Sequence, residues 1–143
     1  MSHGVDLHQL IEVIGDAVVV SNVAGKIILW NHAAEEMFGY TAVEALGQNL
    51  DIITPERFRV RHWDGYHHSM ETGTTKYGKQ TLRVPAVHKD GHTMSIAFTI
   101  AMLRDEHHQV SGVVAVIRDE TTRFLEEKEL KKRLAELESK PGA

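Results

Sequence analysis

The 143-residue sequence contains no cysteine, which excludes disulfide bonds, thiolate metal sites and any photochemistry or catalysis that needs a cysteine. It also lacks an apolar run near the roughly 20 residues that a membrane-spanning helix needs. The N-terminus, MSHGVDLHQL, has neither the basic segment nor the apolar segment of a secretory signal. We therefore expect a cytoplasmic protein that is not inserted in a membrane.

A strong excess of one charge is also missing. The chain has 16 Lys and Arg against 20 Asp and Glu, a formal net charge of -4. A weak negative balance gives no electrostatic attraction to nucleic acid or to an anionic membrane surface, so neither is expected as a partner. The length fits one domain with a single core.

The N-terminal part is predicted to form a helix, a hairpin and a second helix. Residues 5–14 place apolar side chains at helical spacing. The β-branched runs 16–21 and 26–30 are separated by Asn-Val-Ala-Gly, which is typical of a hairpin turn. Asn31 then stands at the N-cap of a helix that ends at Gly39. Thr41 is expected to cap a further short helix that stops at Gly47, and another turn is expected over 49–53.

A longer helix is predicted next, with Pro55 at its first position and Gly73 just after its end. Its spacing places Phe58, His62 and Tyr66 on one face. That face is expected to turn toward the rest of the domain, because it carries the aromatic side chains of the helix.

Beyond residue 77 the apolar period changes from helical to alternating. Residues 78–88, 92–104 and 109–119 are predicted to be three antiparallel strands, joined by the turns KDGH and DEHH. A charged helix follows from Thr121 and is expected to close at Pro141 and Gly142. Its leucines have coiled-coil spacing over two steps only, at Leu130, Leu134 and Leu137.

This order predicts an α+β fold, with a five-stranded antiparallel sheet and helices over one face. We divide the chain into an N-terminal amphipathic helix at 1–14, a core at 15–119, and a C-terminal helix and tail at 120–143. A space between helices and sheet is a suitable site for a small ligand.

Three separated motifs, at residues 25–49, 88–100 and 111–123, resemble the PAS family. They are GKIILWNHAAEEMFGYTAVEALGQN, HKDGHTMSIAFTI and SGVVAVIRDETTR. The resemblance implies the PAS fold with a C-terminal signalling helix. It implies a sensory module that is not an enzyme, which binds a small ligand or cofactor and relays the change to a downstream effector. It also implies a homodimer formed through the flanking helices.

Residues 55–62 are similar to a motif of haem-binding oxygen-sensor PAS domains, Pro-Glu-x-Tyr-Arg-x-Arg-His. That resemblance implies b-type haem with His62 as the axial iron ligand through Nε2, while Nδ1 bonds a backbone acceptor. By the same resemblance His68 takes the place of the basic partner of a haem propionate. Leu82 takes the place of a distal arginine, with Arg83 beside it. The implied apolar pocket is formed by Ile96, Ala115 and Ile117.

Two alternatives remain open at this stage. The alternative to iron ligation is a structural role of His62, which would pack on the sheet or hydrogen-bond to it. The alternative function is a ligand-free dimerisation or interaction module. Flavin is disfavoured by the resemblance to light-sensing PAS domains, because apolar residues replace the reactive cysteine and the polar contacts of the ring. These residues are Leu50, Ala86, Ile96 and Ile117. The pairs His67–His68 and His107–His108 are expected to lie on the surface.

Overall fold

The computed structural model describes residues 4–75 and 78–139. Within them, five helices and five strands follow one another in the order α1 Leu7–Val13, β1 Ala17–Asn22, β2 Ile27–Trp30, α2 His32–Phe38, α3 Ala42–Ala45, α4 Arg59–Thr72, β3 Leu82–Val87, β4 Thr93–Arg104, β5 Val110–Asp119 and α5 Thr121–Ser139. Two 3₁₀ turns, Leu50–Ile53 and Glu56–Phe58, join α3 to α4. None of the described helices is both long enough and apolar enough to cross a membrane.

The strands form one antiparallel sheet with the order β2-β1-β5-β4-β3. The first and last strands of the domain are therefore neighbours at its centre, and β1 and β5 pair from Ala17 opposite Ile117 to Asn22 opposite Gly112. A Cβ on Gly112 would come 2.5 Å from the backbone oxygen of Ser21, so this close pairing needs glycine there. The predicted α+β fold class is confirmed.

One side of the sheet packs under the helices, and we call it the inner face. Because opposed residues of antiparallel strands share a side, the register defines its members. They are Ala17, Val19, Ser21, Trp30, Leu82, Val84, Ala86, Met94, Ile96, Phe98, Ile100, Met102, Val113, Ala115 and Ile117. Most of the buried residues here form a single apolar core with Ala34 and Phe38 of α2.

Asn31 connects three elements through one buried amide. Its Oδ1 accepts from the backbone N–H of Val18 at 2.9 Å and from that of Ala34 at 3.0 Å. Its Nδ2 donates to the backbone oxygens of Ile11 at 2.8 Å and Asp16 at 3.1 Å. Each hydrogen of the NH₂ group and two acceptor positions of the oxygen are used, so the side chain, which is 0% exposed, is fully satisfied.

Three predicted boundaries were wrong, and each has a local cause. The helix expected from Pro55 begins at Arg59, because the first turn closes with the tighter Arg59 N–H to Glu56 bond and no side chain caps it. The third strand begins at Leu82 rather than at residue 78, since Gly78 has φ of 56° and lies in a turn. The helix before Gly47 ends earlier, at Ala45. Pro141 and Gly142 lie outside the described residues.

Replacing Asn31 by alanine should destabilise the protein far more than replacing an ordinary N-cap. The substitution leaves two buried N–H groups and two carbonyls without this partner, and we expect a loss of about 3 kcal/mol or more in unfolding free energy. The matched control is Asn49→Ala, since Asn49 also caps a turn but makes a single cap bond, to the N–H of Asp51 at 2.9 Å. That variant should lose about 1 kcal/mol. Urea unfolding of both variants measures the difference, and equal losses would contradict the network.

Candidate ligand site on the inner face

Helix α4 is held over the sheet by its aromatic residues. The indole N–H of Trp63 donates to Asp51 Oδ1 at 2.7 Å, and the ring lies so close to Gly25 that a Cβ there would come within 2.5 Å. The hydroxyl of Tyr66 contacts Ser21 Oγ at 3.1 Å on the inner face. These contacts anchor the helix at the β1–β2 end of the sheet, and the buried position of Tyr66 agrees with the prediction that it belongs to the core.

His62 lies one turn before Tyr66 on the same face of α4, and it is half-buried. Its ring centroid is 4.9 Å from that of Trp63 and 6.0 Å from that of Tyr66. Its Nδ1 is buried and has no hydrogen-bond partner among the described residues. The backbone acceptor expected for this nitrogen when Nε2 holds an iron stays a prediction. The ring packs against aromatic side chains.

Burial lowers the pKa of His62, and the nearby carboxylate of Asp51 opposes this shift without cancelling it. The imidazole is therefore held in its neutral form near neutral pH. A neutral imidazole with a nitrogen lone pair is the form that ligates metal ions.

The four apolar pocket positions predicted on the sheet share the inner face. Leu82 is opposite Phe98 in the β3–β4 register, and Phe98 is opposite Ile117 in the next pair. Ile96 and Ile117 are 5% and 3% exposed, whereas Leu82, Phe98 and Ala115 are half-buried. An apolar ligand would bury more of this half-buried part of the face. The burial would contribute about 25 cal/mol of binding free energy per Å² of apolar surface removed from water.

The polar positions His68 and Arg83 lie away from the inner face and from the side of α4 that carries His62. His68 is exposed, and six positions along α4 place it about 120° around the helix axis from His62. Arg83 extends from the other side of the sheet and pairs with Glu120 at 3.2 Å, so it does not supply a guanidinium on the inner face beside Leu82. The role of His68 as a propionate partner stays a prediction.

The positions that disfavour flavin are apolar and largely covered. Ala86 is 1% exposed on the inner face, and Leu50 packs against the core from the turn after α3. Neither side chain offers a hydrogen bond to a polar ring edge. Together with Ile96 and Ile117, they make this region suited to an apolar surface.

The described residues fit a b-type haem in the kind of groups they supply. His62 provides a neutral imidazole that is oriented by aromatic packing, and the inner face provides apolar side chains for a planar ring. His62 is brought beside Trp63 and Tyr66, whereas Ile96 and Ile117 are buried in the sheet core. The fit therefore rests on His62 for ligation and on the half-buried strand residues for contact.

Sequence reasoning missed a cleft at the start of α5. It has a volume of about 550 Å³ and lies between β3, β4 and the first turns of the helix. Apolar Val84 and Phe124 line it together with Arg57, Arg83 and Arg123. No local sequence pattern predicts this cleft, because its shape depends on the direction in which α5 leaves the sheet. The other surface predictions were correct, since His67, His68, His107 and His108 are all exposed.

Comparison with known proteins gives two curated relatives of interest. The chain is 43% identical to the sensor protein FixL of Bradyrhizobium diazoefficiens over 60 residues, which is 42% of this chain and 12% of that protein. It is 26% identical to the oxygen sensor protein DosP of Escherichia coli over 88 residues, 62% of this chain and 11% of that protein. The chain thus spans only about a tenth of the length of these relatives.

The fold comparison agrees. The crystal structure of a PAS domain from Colwellia psychrerythraea superposes with a TM-score of 0.71 at 27% sequence identity, over 81% of this chain and 95% of that one. The family model described as the PAS fold matches residues 6–119. This match takes in α1 as well as the sheet, and the chain therefore belongs to the PAS fold family.

Proposed function

We propose that this PAS domain is a haem-based sensory module that passes a change in its core to α5. The observation that carries the proposal is His62, a neutral, half-buried imidazole on the aromatic face of α4. The resemblance of residues 55–62 to the haem-ligand motif of oxygen-sensor PAS domains supports it. So does the similarity to a sensor protein and to an oxygen sensor protein.

In this proposal Nε2 of His62 holds the iron, and apolar strand residues contact the ring. Those residues are Leu82, Ile96, Ala115 and Ile117. When bound, haem would supply a redox-active iron centre that can take small gaseous ligands. The protein orients the imidazole through the packing of Trp63 and Tyr66, which restricts the ring to one side of α4. His68 at the helix surface would pair with a propionate, more weakly when its imidazole is neutral because only one N–H then donates.

The start of α5 is clamped to the strand that carries Ile96. The backbone N–H of Glu120 donates to the oxygen of Ser95 at 2.8 Å, and the N–H of Ser95 donates to Thr121 Oγ1 at 3.0 Å. Ser95 and Ile96 are adjacent and face opposite sides of β4. A ligand that displaces Ile96 therefore acts within one residue of the hinge of the helix, which is the relay that we propose.

The proposal has three further parts. We propose no catalytic activity, since the apolar inner face supplies neither an acid nor a base to a substrate. We propose a cytoplasmic location, and an effector domain or protein that receives the signal from α5. Flavin is not part of the proposal, because Ala86, Ile96 and Ile117 are apolar.

A second candidate function is favoured by exposed apolar residues on both terminal helices. In α1, Leu7 and Val13 are 68% and 70% exposed, and in α5 the leucines at 130, 134 and 137 are 64%, 56% and 67% exposed. Such residues gain free energy by pairing with a second chain. We propose a homodimer through these helices, which would operate with or without a bound ligand.

The pKa of His62 should lie below the usual value of about 6.5, and that of His32 above it. Burial favours neutral His62, whereas the hydrogen bond from His32 to Glu35 and the charge of Glu36 favour the imidazolium. Because the unfolded chain protonates His62 first, this residue lowers stability as the pH falls below about 6.5 and has no effect above it. NMR titration of the two imidazole signals measures both values, and a His62 value above that of His32 would contradict the burial.

Apo-protein titrated with hemin should develop a Soret band at one equivalent. His62→Ala should lose the band, and added imidazole should restore it, because free imidazole can occupy the space of the missing side chain. His67→Ala is the matched control, since His67 is on the same helix but exposed, and its band should be unchanged. Thermal melting shows that each variant is folded. No hemin uptake by the natural chain, or equal uptake by His62→Ala, would overturn the haem proposal.

Light scattering should find a dimer at high micromolar concentration. Replacing Leu130, Leu134 and Leu137 together by glutamate should give a monomer, and so should truncation after Arg123. Val43→Glu is the control, because Val43 is 90% exposed on α3, away from both terminal helices. A natural chain that is monomeric at that concentration would rule out the dimer.

A further inference from the structure

The β3–β4 turn brings three metal-ligating side chains together. It runs from His88 to His92 with the sequence His-Lys-Asp-Gly-His, and the N–H of His88 donates to the oxygen of His92 at 3.0 Å. This pairing sets the two imidazoles side by side, with ring centroids 4.6 Å apart and planes inclined by 18°. Gly91 has φ of 95°, which lets the turn close in five residues.

Asp90 folds back from the tip of the turn toward both rings. Its Oδ1 is 2.5 Å from His92 Nδ1 and 3.3 Å from His88 Nδ1, and it also accepts the backbone N–H of His92 at 2.9 Å. We call His88, Asp90 and His92 the turn triad. One ligand atom from each lies within 4.8 Å of the others.

These distances suit a small transition-metal ion. Zn²⁺ bonds of about 2.0–2.2 Å in tetrahedral geometry place neighbouring ligand atoms about 3.3–3.5 Å apart. The pair His88 Nδ1 and Asp90 Oδ1 already has this separation, and the shorter pair needs only to open. Two imidazoles and one carboxylate are a donor set typical of Zn²⁺ sites with a fourth position open to solvent.

The hydrogen bonding of the turn prepares one ligand. His88 Nδ1 accepts the N–H of Asp90 at 3.1 Å, so this nitrogen is unprotonated and its lone pair already points into the turn. A metal ion bound there replaces that hydrogen bond. The side chain of His92 is 56% exposed, and its Nδ1 already lies against Asp90 Oδ1.

The turn triad is also fixed against the helical layer. A Cβ on Gly39, the residue that ends α2, would come 2.5 Å from Cε1 of His88, so the ring of His88 packs directly on that backbone. The next residue, Lys89, donates its N–H to the oxygen of Phe38 at 2.9 Å and forms an ion pair with Glu44 at 2.5 Å. Ligands held in place before binding lose less conformational entropy when the ion arrives.

We propose that His88, Asp90 and His92 form a Zn²⁺-class metal site that rigidifies the β3–β4 turn and so braces it against the end of α2 through the packing of His88 on Gly39. The site is separate from His62 and from the proposed haem, since it lies at the opposite edge of the sheet from β2. Binding would stiffen the junction between the sheet and the α2–α3 segment. The ion would cross-link the turn itself, so that His88 and Lys89 are held more firmly in their contacts with Gly39 and Phe38.

Calorimetric titration of the metal-free full chain with Zn²⁺ alone, in a non-chelating buffer, tests the site. The natural chain should show a saturable equivalent, and His92→Ala and Asp90→Asn should each weaken it at least about tenfold. His92 is chosen over His88 because it is more exposed, so its removal leaves the packing on Gly39 intact. The control replaces His107 and His108 together by alanine, an exposed pair on the other turn of the meander, and should bind Zn²⁺ as before.

NMR provides the readout of the brace. On addition of Zn²⁺ the imidazole signals of His88 and His92 should shift together with the backbone amides of Gly39 and Lys89, and these shifts should be absent in His92→Ala. Absence of saturable binding, equal binding by His92→Ala, or a loss of binding in the His107 and His108 control would overturn the proposal. Binding without a shift at Gly39 would overturn the brace.

Discussion

The fold depends on one buried side chain amide, that of Asn31. Asn31 follows β2, caps α2 through its Oδ1, and donates its Nδ2–H to the carbonyl of Ile11 in α1. Its four hydrogen bonds thus join α1, β1 and α2. No other side chain of similar size could satisfy two donors and two acceptors at once in this geometry, because only an amide presents both. The position of α2 over the inner face, and hence the packing of Phe38 and Ala34 on the sheet, follows from this point.

Further contacts hold the helical layer at both edges of the sheet. At the β2 edge, Trp63 and Tyr66 of α4 bond to Asp51 and Ser21, which leaves His62 beside them with its Nδ1 unsatisfied. At the β3 edge, the ring of His88 packs on Gly39. The helical layer is thus fixed to the sheet at its two sides, while Leu82, Phe98 and Ala115 between them are only half-buried.

Local patterns predicted the elements well, because strand alternation and helix caps are set by neighbouring residues. Asn31, Gly39 and Thr41 all occupy the cap positions expected of them. The environment of His62 could not be predicted in the same way. Its ring packs against Trp63 and Tyr66, and the burial lowers its pKa although the carboxylate of Asp51 opposes the shift; these contacts arise only through tertiary packing. The turn triad was missed for a different reason. The sequence KDGH predicts a hairpin turn, but a turn pattern does not predict that the preceding residue, His88, lies beside Asp90 and His92.

The route from the core to α5 is short because a sheet is one residue thick. Ile96 is in the apolar core, and Ser95, its neighbour, exchanges hydrogen bonds with Glu120 and Thr121 on the opposite side. Beyond this first turn the helix borders a cleft rather than a packed surface, and its leucines are exposed. In the proposed relay, a shift of β4 would tilt α5 at this hinge and displace the far end of the helix. At about 1.5 Å of rise per residue, this 19-residue helix has a length near 28 Å. A tilt of α5 by a few degrees at Thr121 would therefore displace Ser139 by more than it displaces the residues at the start of the helix.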